Sequence, residues 1–409
     1  MRYAAPIACC LVITLAADAQ VFFRHSRQLP VGPNPCAIAA QDLDDDGWPE
    51  IITADRGQLT EPREERPAND ELSLLKAVGK LDYTKHHPSL KTGFAPYAIA
   101  IANIDALKWP DIVVANFHAV RKRNISLFLN LKHENLFTAN EFRVSDDGLP
   151  YVRHRDGDNV PLFTSPGLTA LAIAEVNGDD TRDLFATAWS IDQLVFMPGD
   201  KELFFGEPKL TPVSGGPRDL VLTDLNDDGY KDLAIVCYVT GEVALFAGDA
   251  KGAMESQGRF QSRGRLPISI VHGDFNRDGR TDLAVAHAYM DDSVVIFYND
   301  GDFEFSLSHQ INLGDSAEVL EHELRDLAAA DFNADGRTDL AVTCHLSQQV
   351  AVLINEDKGG TPSYRTETYS FDEGKPYALT AADFDQNGRM DLAVTLWETN
   401  TVQLLLSRE

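Results

Sequence analysis

From about residue 35 onward the chain is a succession of short apolar runs separated by polar breaks. Runs such as PCAIAAQ (from Pro35), DLAVAH (from Asp282), PYALTAA (from Pro376) and TVQLLLS (from Thr401) have the length and residue types of strands. None of the intervening segments carries the i, i+3, i+4 spacing of an amphipathic helix. The runs recur in one order. A strand usually led by Pro enters a polar hairpin, a second strand leaves it, and a turn gives a third. A more polar fourth follows, as in FEFSLSHQINL from Phe303. Four short strands, repeated without helices, predict the blade of a β-propeller, an all-β fold.

The hairpin between the first and second strands repeats in detail. It reads DLDDDGWPEI from Asp42, NIDALKWPDI from Asn103, EVNGDDTRDL from Glu175, DLNDDGYKDL from Asp224, DFNRDGRTDL from Asp274, DFNADGRTDL from Asp331 and DFDQNGRMDL from Asp383. Seven copies at a spacing of stacked supersecondary units predict seven blades, and residues 20–409 as a single propeller. The last blade ends at its third strand, TVQLLLSRE. Val21–Leu29 is therefore expected to supply the missing outer strand, closing the ring and covering an open sheet edge.

Each hairpin opens like an EF-hand loop, with oxygen side chains at positions 1, 3 and 5, Gly at 6 and an acid at 9. The copy from Asp331 then has Val342 at position 12, where an EF-hand has Glu, and runs into a strand. A hard cation such as Ca²⁺ takes six to eight oxygens, and alternating side chains of a tight loop converge to offer them. The candidate calcium ligands are Asp42, Asp44, Asp46 and Glu50; Asn177, Asp179 and Asp183; Asp224, Asn226, Asp228 and Asp232; Asp274, Asn276, Asp278 and Asp282; Asp331, Asn333, Asp335 and Asp339; and Asp383, Asp385, Asn387 and Asp391. A carbonyl at Arg337 is expected to join the Asp331 set. The copy from Glu175 is degenerate, with Asp180 in the Gly position. The copy from Asn103 has Leu107 and Lys108 in place of ligand and Gly and is expected to hold no ion.

The D-x-D/N-x-D/N-G-x-x-D-L/I hairpin, the Pro-led strand before it and the sevenfold count resemble the FG-GAP/VCBS repeat family, similar to the calcium-bearing propeller of integrin alpha chains. The resemblance covers nearly all of residues 20–409 and implies a seven-bladed calcium-binding propeller. It says little about biological role, because one propeller hosts many functions.

Net charge is −27 over 409 residues, which argues against nucleic acid or an anionic membrane as partner. Five or six structural Ca²⁺ ions would offset much of it, so the acidity belongs largely to the ligand loops. The N-terminus, MRYAAPIACCLVITLAADAQ, has a basic Arg2, an apolar core and Ala17–Ala19 in an A-x-A arrangement. It is read as a signal peptide over residues 1–19, placing the protein in the periplasm or outside the cell. Beyond it no run is long enough to span a bilayer. Cys36, Cys237 and Cys344 lie in apolar strands and read as buried thiols, not a disulfide framework. A monomer is expected.

Candidate ligand-binding residues fall on the face opposite the hairpins, where strand two turns into strand three. Insertions are expected there at Asp55–Glu71, Ser145–Gly167 and Gly314–Asp326. Strand two ends in Arg56, Phe117, Trp189, Tyr238, Ala288, His345 and Trp397, rings suited either to stacking on sugars or to filling gaps between blades. After the Pro slot stand Tyr97, Arg218, Arg325 and Tyr377, at the mouth of the central channel. The two Arg suit a carboxylate or sulfate, or form ion pairs with Asp219 and Asp326. No G-x-S-x-G or H-E-x-x-H is present, and His287 and His345 are the acid–base candidates. The sequence thus favours a non-catalytic recognition module for a glycan or protein. The rival is a lyase-like enzyme acting on polysaccharide through the same face.

Overall fold

The computed structural model describes residues 23–57, 69–105, 107–118, 124–131, 137–142, 151–153, 159–161, 166–288, 292–314, 322–357 and 363–408, the short stretches 137–142, 151–153 and 159–161 by backbone only. Residues 1–19 and most of each expected insertion lie outside them.

Why the runs become antiparallel strands follows from their hairpins. Position 4 of the loop takes a left-handed conformation, as at Ala334 (φ 59°), and so does the Gly at position 6, as at Gly336 (φ 80°). Two such residues reverse the chain within the loop, and the next strand pairs with the one before. In the sixth blade Ala330 thus faces Asp339 and Ala328 faces Ala341. Seven sheets result, each an antiparallel run of first, second, third and fourth strands, with the first blade gaining a short extra strand at Leu90–Lys91. The first strands contact one another in sequence order, and the seventh returns to the first, so the sheets form a closed ring.

Second strands such as Asp282–His287 and Asp391–Leu396 are buried on both faces, which is why they read as unbroken apolar runs. Their side chains pack in seven separate cores, one between each pair of neighbouring blades. Fourth strands are polar because they form the rim, as in Met254–Gln261. Among the described residues the nearest thing to a helix is a 3-10 turn at Trp189–Ile191, and no helix is long and apolar enough to cross a membrane.

Closure follows the sequence expectation. Phe23–Pro30 pairs antiparallel with Thr401–Ser407 and completes the seventh blade as its outer strand. Phe23 anchors it: its ring is 1% exposed and meets Phe332 and Tyr369 edge-on at 5.7 and 5.4 Å. The thiols of Cys36, Cys237 and Cys344 are free and buried.

Candidate functional site

The hairpin loops occupy one face. Their position-9 acid is fully or almost fully buried in every blade and spends both oxygens on backbone N–H groups. One oxygen accepts from position 2 of its own loop and the other from the end of strand three. Asp339 takes Phe332 N at 3.0 Å and Asn355 N at 2.7 Å; Asp282 takes Phe275 N and Asn299 N, both at 2.9 Å. Asp391, Asp232, Asp183 and Glu50 repeat the pattern. Asp111 does too, in the degenerate loop from Asn103, with Ile104 N and Asn130 N at 2.8 Å. This acid therefore has a structural duty that needs no cation. Burial raises these carboxyls, Asp111 to about 6 and Asp339 to about 7.

Positions 1, 3 and 5 are nearer solvent. Asp42, Asp224, Asp274, Asp331 and Asp383 each accept the N–H of the loop Gly at 2.7–3.0 Å, which folds the chain back on itself. Position 3 divides the loops. Where it is Asn, the amide bonds the position-5 carboxylate: Asn226 to Asp228, Asn276 to Asp278 and Asn333 to Asp335, at 2.9–3.0 Å. Where it is Asp, three carboxylates converge instead, Asp42, Asp44 and Glu50 in the first blade and Asp383, Asp385 and Asp391 in the seventh. In both trios the position-3 acid has a buried oxygen, Oδ1 of Asp44 and of Asp385, without a hydrogen-bond partner. Lys76 (2.9 Å) and Lys80 (3.8 Å) reach only the other oxygen. Converging carboxylates with an orphaned buried oxygen fit a divalent cation in these two loops.

The loop from Glu175 is differently filled. The Asn177 amide donates to Asp183 at 3.3 Å, Asp179 caps Thr181 at 2.8 Å, and Asp180 takes the left-handed Gly position with φ 63°. In the loop from Asn103 the Asn103 amide donates to the Leu107 carbonyl. Lys108 leans across to Asp45 of the neighbouring loop.

The opposite face carries the channel mouth. At the start of each first strand the register shifts by a bulge, as between Pro217 and Asp219 and between Pro96 and Ala98. A bulge re-aims the side chain beside it. Here two or three residues of each first strand line a central cavity of about 180 Å³, among them Tyr97, Arg218, Arg325 and Tyr377 and the acids Asp219 and Asp326.

Four of these were candidates from sequence, and they form one network. The Arg218 guanidinium lies 4.8 Å from the Tyr97 ring and donates to its hydroxyl, which is 3.4 Å from the Tyr377 hydroxyl. Arg325 lies 5.2 Å from the Tyr377 ring. Aromatic residues from the ends of second strands continue the wall: Trp397 stacks on Tyr377 at 4.7 Å, and Phe117 links Tyr97 to Trp189 at 5.6 and 6.3 Å. Gly216 lets Trp189 sit this close, since a Cβ there would be 2.9 Å from the indole nitrogen. Tyr238 instead packs into the core between blades five and six. Trp189, Trp397 and Phe117 are half-buried, so they fill the joints between blades and wall the mouth at once.

Two expectations fail. Arg218–Asp219 and Arg325–Asp326 are not ion pairs, because both acids are engaged by backbone N–H groups instead. Asp219 accepts from Leu220 N and Ile270 N, and Asp326 from Leu327 N and Leu379 N, at 2.9–3.0 Å. The two acids staple the first strands of neighbouring blades, and burial pushes Asp326 up to about 7. Arg325 pairs with Glu323. Nor is His287 an acid–base partner for His345: it is fully buried and engaged by Ser262 and Ser293. His345 is buried too, but it lies against the lining residue Tyr377, ring to ring at 5.6 Å. Its Nδ1–H donates to the Pro376 carbonyl at 3.0 Å, and burial lowers its pKa to about 4.

Sequence reasoning gave Arg56 no role beyond its slot at the end of strand two. It is 8% exposed, its Nε has no partner, and its guanidinium lies 5.0 Å from the Tyr97 ring and 5.5 Å from that of Phe117. Its position in the aromatic slot was the available signal.

Residues 224–285, 274–342 and 331–394 match the model of FG-GAP-like repeats, blade after blade. Residues 224–394 carry FG-GAP-like repeats. A search of curated proteins gave no match. Among solved structures, the repeats share their fold with BBS1N in its complex with ARL6DN (TM-score 0.61, 12% identity, 95% of this chain and 97% of that one). A putative 6-phosphogluconolactonase from Bacteroides uniformis is also similar (TM-score 0.56, 17% identity, 83% and 87%). So is a catalytically inactive virginiamycin B lyase from Staphylococcus aureus with quinupristin (TM-score 0.55, 12% identity, 94% and 100%). At these identities the likeness is one of fold alone.

Proposed function

We propose that this FG-GAP-repeat propeller is a secreted, calcium-stabilised, non-catalytic recognition module that takes an extracellular glycan at the channel mouth. The observation that carries the reading is the Tyr97–Tyr377–Arg218–Arg325 network, walled by Trp397 and Phe117, on the face away from the loops. Flat aromatic faces beside fixed donors suit sugar rings, which offer both C–H surface and hydroxyls. On the other face Ca²⁺ is structural. Asp42, Asp44 and Glu50, and Asp383, Asp385 and Asp391, would hold it best, with the Asn-bearing loops as further sites. When bound it supplies positive charge between carboxylates that otherwise repel. The A-x-A terminus is the ground for secretion.

A second reading, an enzyme, has one specific observation in its favour. His345 has Nδ1 committed to Pro376, which leaves Nε2 as a neutral base, and its ring meets Tyr377 edge-on at 5.6 Å. The neighbours named above include a lyase and a partner-bound propeller, so the fold does not choose between them. A glycan array with and without calcium, paired with an absorbance assay for unsaturated products on acidic polysaccharides, tests both. Retention without turnover supports recognition, and product formation rejects it in favour of catalysis.

A further inference from the structure

We infer that the channel mouth is a carboxylate-binding site that takes a single uronic-acid-type sugar end-on, with Arg56, Arg218 and Arg325 as its cationic set. This rests on the recognition reading and adds the ligand's chemical class. The argument starts from charge. In a protein of net charge −27, Arg218 and Arg325 line this cavity, and Arg56, outside the lining, lies against the ring of the lining residue Tyr97. Arg56 and Arg218 both lie against one ring, their Cζ atoms 5.0 and 4.8 Å from the Tyr97 ring centre.

Of the neighbouring carboxylates among the described residues, only Glu323 pairs with one of them, Arg325. Asp55 spends its oxygens on Ser73 (2.6 Å), Thr53 (2.8 Å) and Gly32 N (3.1 Å). Asp219 and Asp326 turn to backbone N–H groups of the next blades. Glu323 engages Arg325 through one nitrogen, and Arg325 Nε stays buried and unpartnered. Arg56 Nε is likewise unpartnered, in a residue more than nine-tenths buried. A buried guanidinium donor without an acceptor is costly, and a planar carboxylate is the acceptor whose geometry matches it.

Size and field set the rest. The cavity of about 180 Å³ admits the carboxylate end of one sugar unit, not a chain lying across the disc. A long polyanion would also meet the acidity of the surrounding protein; within the cavity the two acids, Asp219 and Asp326, are turned to the Ile270 and Leu379 N–H groups, and burial raises Asp326 to about 7. Trp397 and Phe117 offer faces beside it for the ring.

The experiment is calorimetric titration of the full mature chain in calcium with galacturonate, its neutral counterpart galactose, trigalacturonate and sulfate. Galacturonate should bind at least tenfold tighter than galactose. Arg218→Gln and Arg325→Gln, both half-buried positions, should each lose about tenfold or more while keeping the parent circular dichroism and melting temperature. Arg56→Gln is the stronger test if it folds. Equal binding of trigalacturonate identifies a polymer end as the source; loss of binding in the trimer identifies the free acid. The proposal is overturned if galactose binds as well as galacturonate, if sulfate matches it, or if folded Arg218→Gln and Arg325→Gln bind unchanged. Should the array then still retain neutral glycans, recognition stands and only the carboxylate assignment is lost.

Discussion

Replacing Asp111 by Ala separates the two roles folded into the repeat. Asp111 is 0% exposed and accepts Ile104 N and Asn130 N at 2.8 Å, in the loop whose Leu107 and Lys108 spoil it for calcium. Removing the carboxyl strands the buried Asn130 N–H and the half-buried Ile104 N–H, and a longer bond from Asp105 N (3.3 Å) goes with them. Each unsatisfied group costs about 1–3 kcal/mol, so the loss should be about 4 kcal/mol. Against a native stability of roughly 5–15 kcal/mol this is large. For 409 residues an unfolding entropy of about 2.1 cal/mol/K per residue sums to about 0.86 kcal/mol/K, so the melting temperature should fall by about 5 °C. Asp111→Asn keeps one acceptor and should lose about half as much. The assay is thermal and urea unfolding followed by far-UV circular dichroism, once in excess calcium and once in EDTA. The drop should be the same in both, because no ion is involved. A drop below about 1 kcal/mol, or one that vanishes in EDTA, would refute the two-bond clasp.

Other consequences follow from the same geometry. EDTA should lower the melting temperature of the parent strongly; at a calcium concentration 100 times Kd each site adds about 2.7 kcal/mol. Asp44→Asn and Asp385→Asn, read by calcium titration calorimetry, should each remove one of the tightest sites, and unchanged stoichiometry would contradict the trio assignment. Phe23→Ala should cost about 3–5 kcal/mol, and deleting Phe23–Pro30 should expose Thr401–Ser407 as a pairing edge. Size-exclusion chromatography of the deletion would then show self-association, and a stable monomer would argue against the seam. Asp326, raised to about 7, binds a proton more readily folded than unfolded. Its stabilising share is complete below about pH 4 and disappears as pH climbs through 7; Asp326→Asn should flatten that slope in urea midpoints.

The blade pattern was legible because every force that builds it is local. Strand length, the loop's alternating oxygens and its left-handed positions all sit within about ten residues, so Asp331–Val342 announces its hairpin on its own. Ring closure was legible for a similar reason: a third strand at Thr401 with no fourth leaves an edge to be covered. The bulges were not legible, since a register shift depends on how two strands pair. Hence Arg218 and Asp219, adjacent in sequence, read as a pair and yet take different partners, the Tyr97 hydroxyl and the Ile270 N–H. The duty of the position-9 acid was hidden too. Asp111 stands in a loop whose position 5 and Gly slot are Leu107 and Lys108, and its presence there was the trace. His287 looked like His345 in sequence, and the Ser262 and Ser293 contacts of the one and the Tyr377 contact of the other separate them.

The four tryptophans offer the most direct test of the central claim, that ligand is taken at the channel mouth. Trp48 and Trp109 belong to the loop face, whereas Trp189 and Trp397 stand at the mouth. In a Trp48→Phe/Trp109→Phe variant the fluorescence comes from the mouth alone. Titrating this variant with a glycan retained on the array should shift or quench its emission saturably, at the affinity found by calorimetry. Full binding with no change in that emission would place the ligand elsewhere and contradict the account.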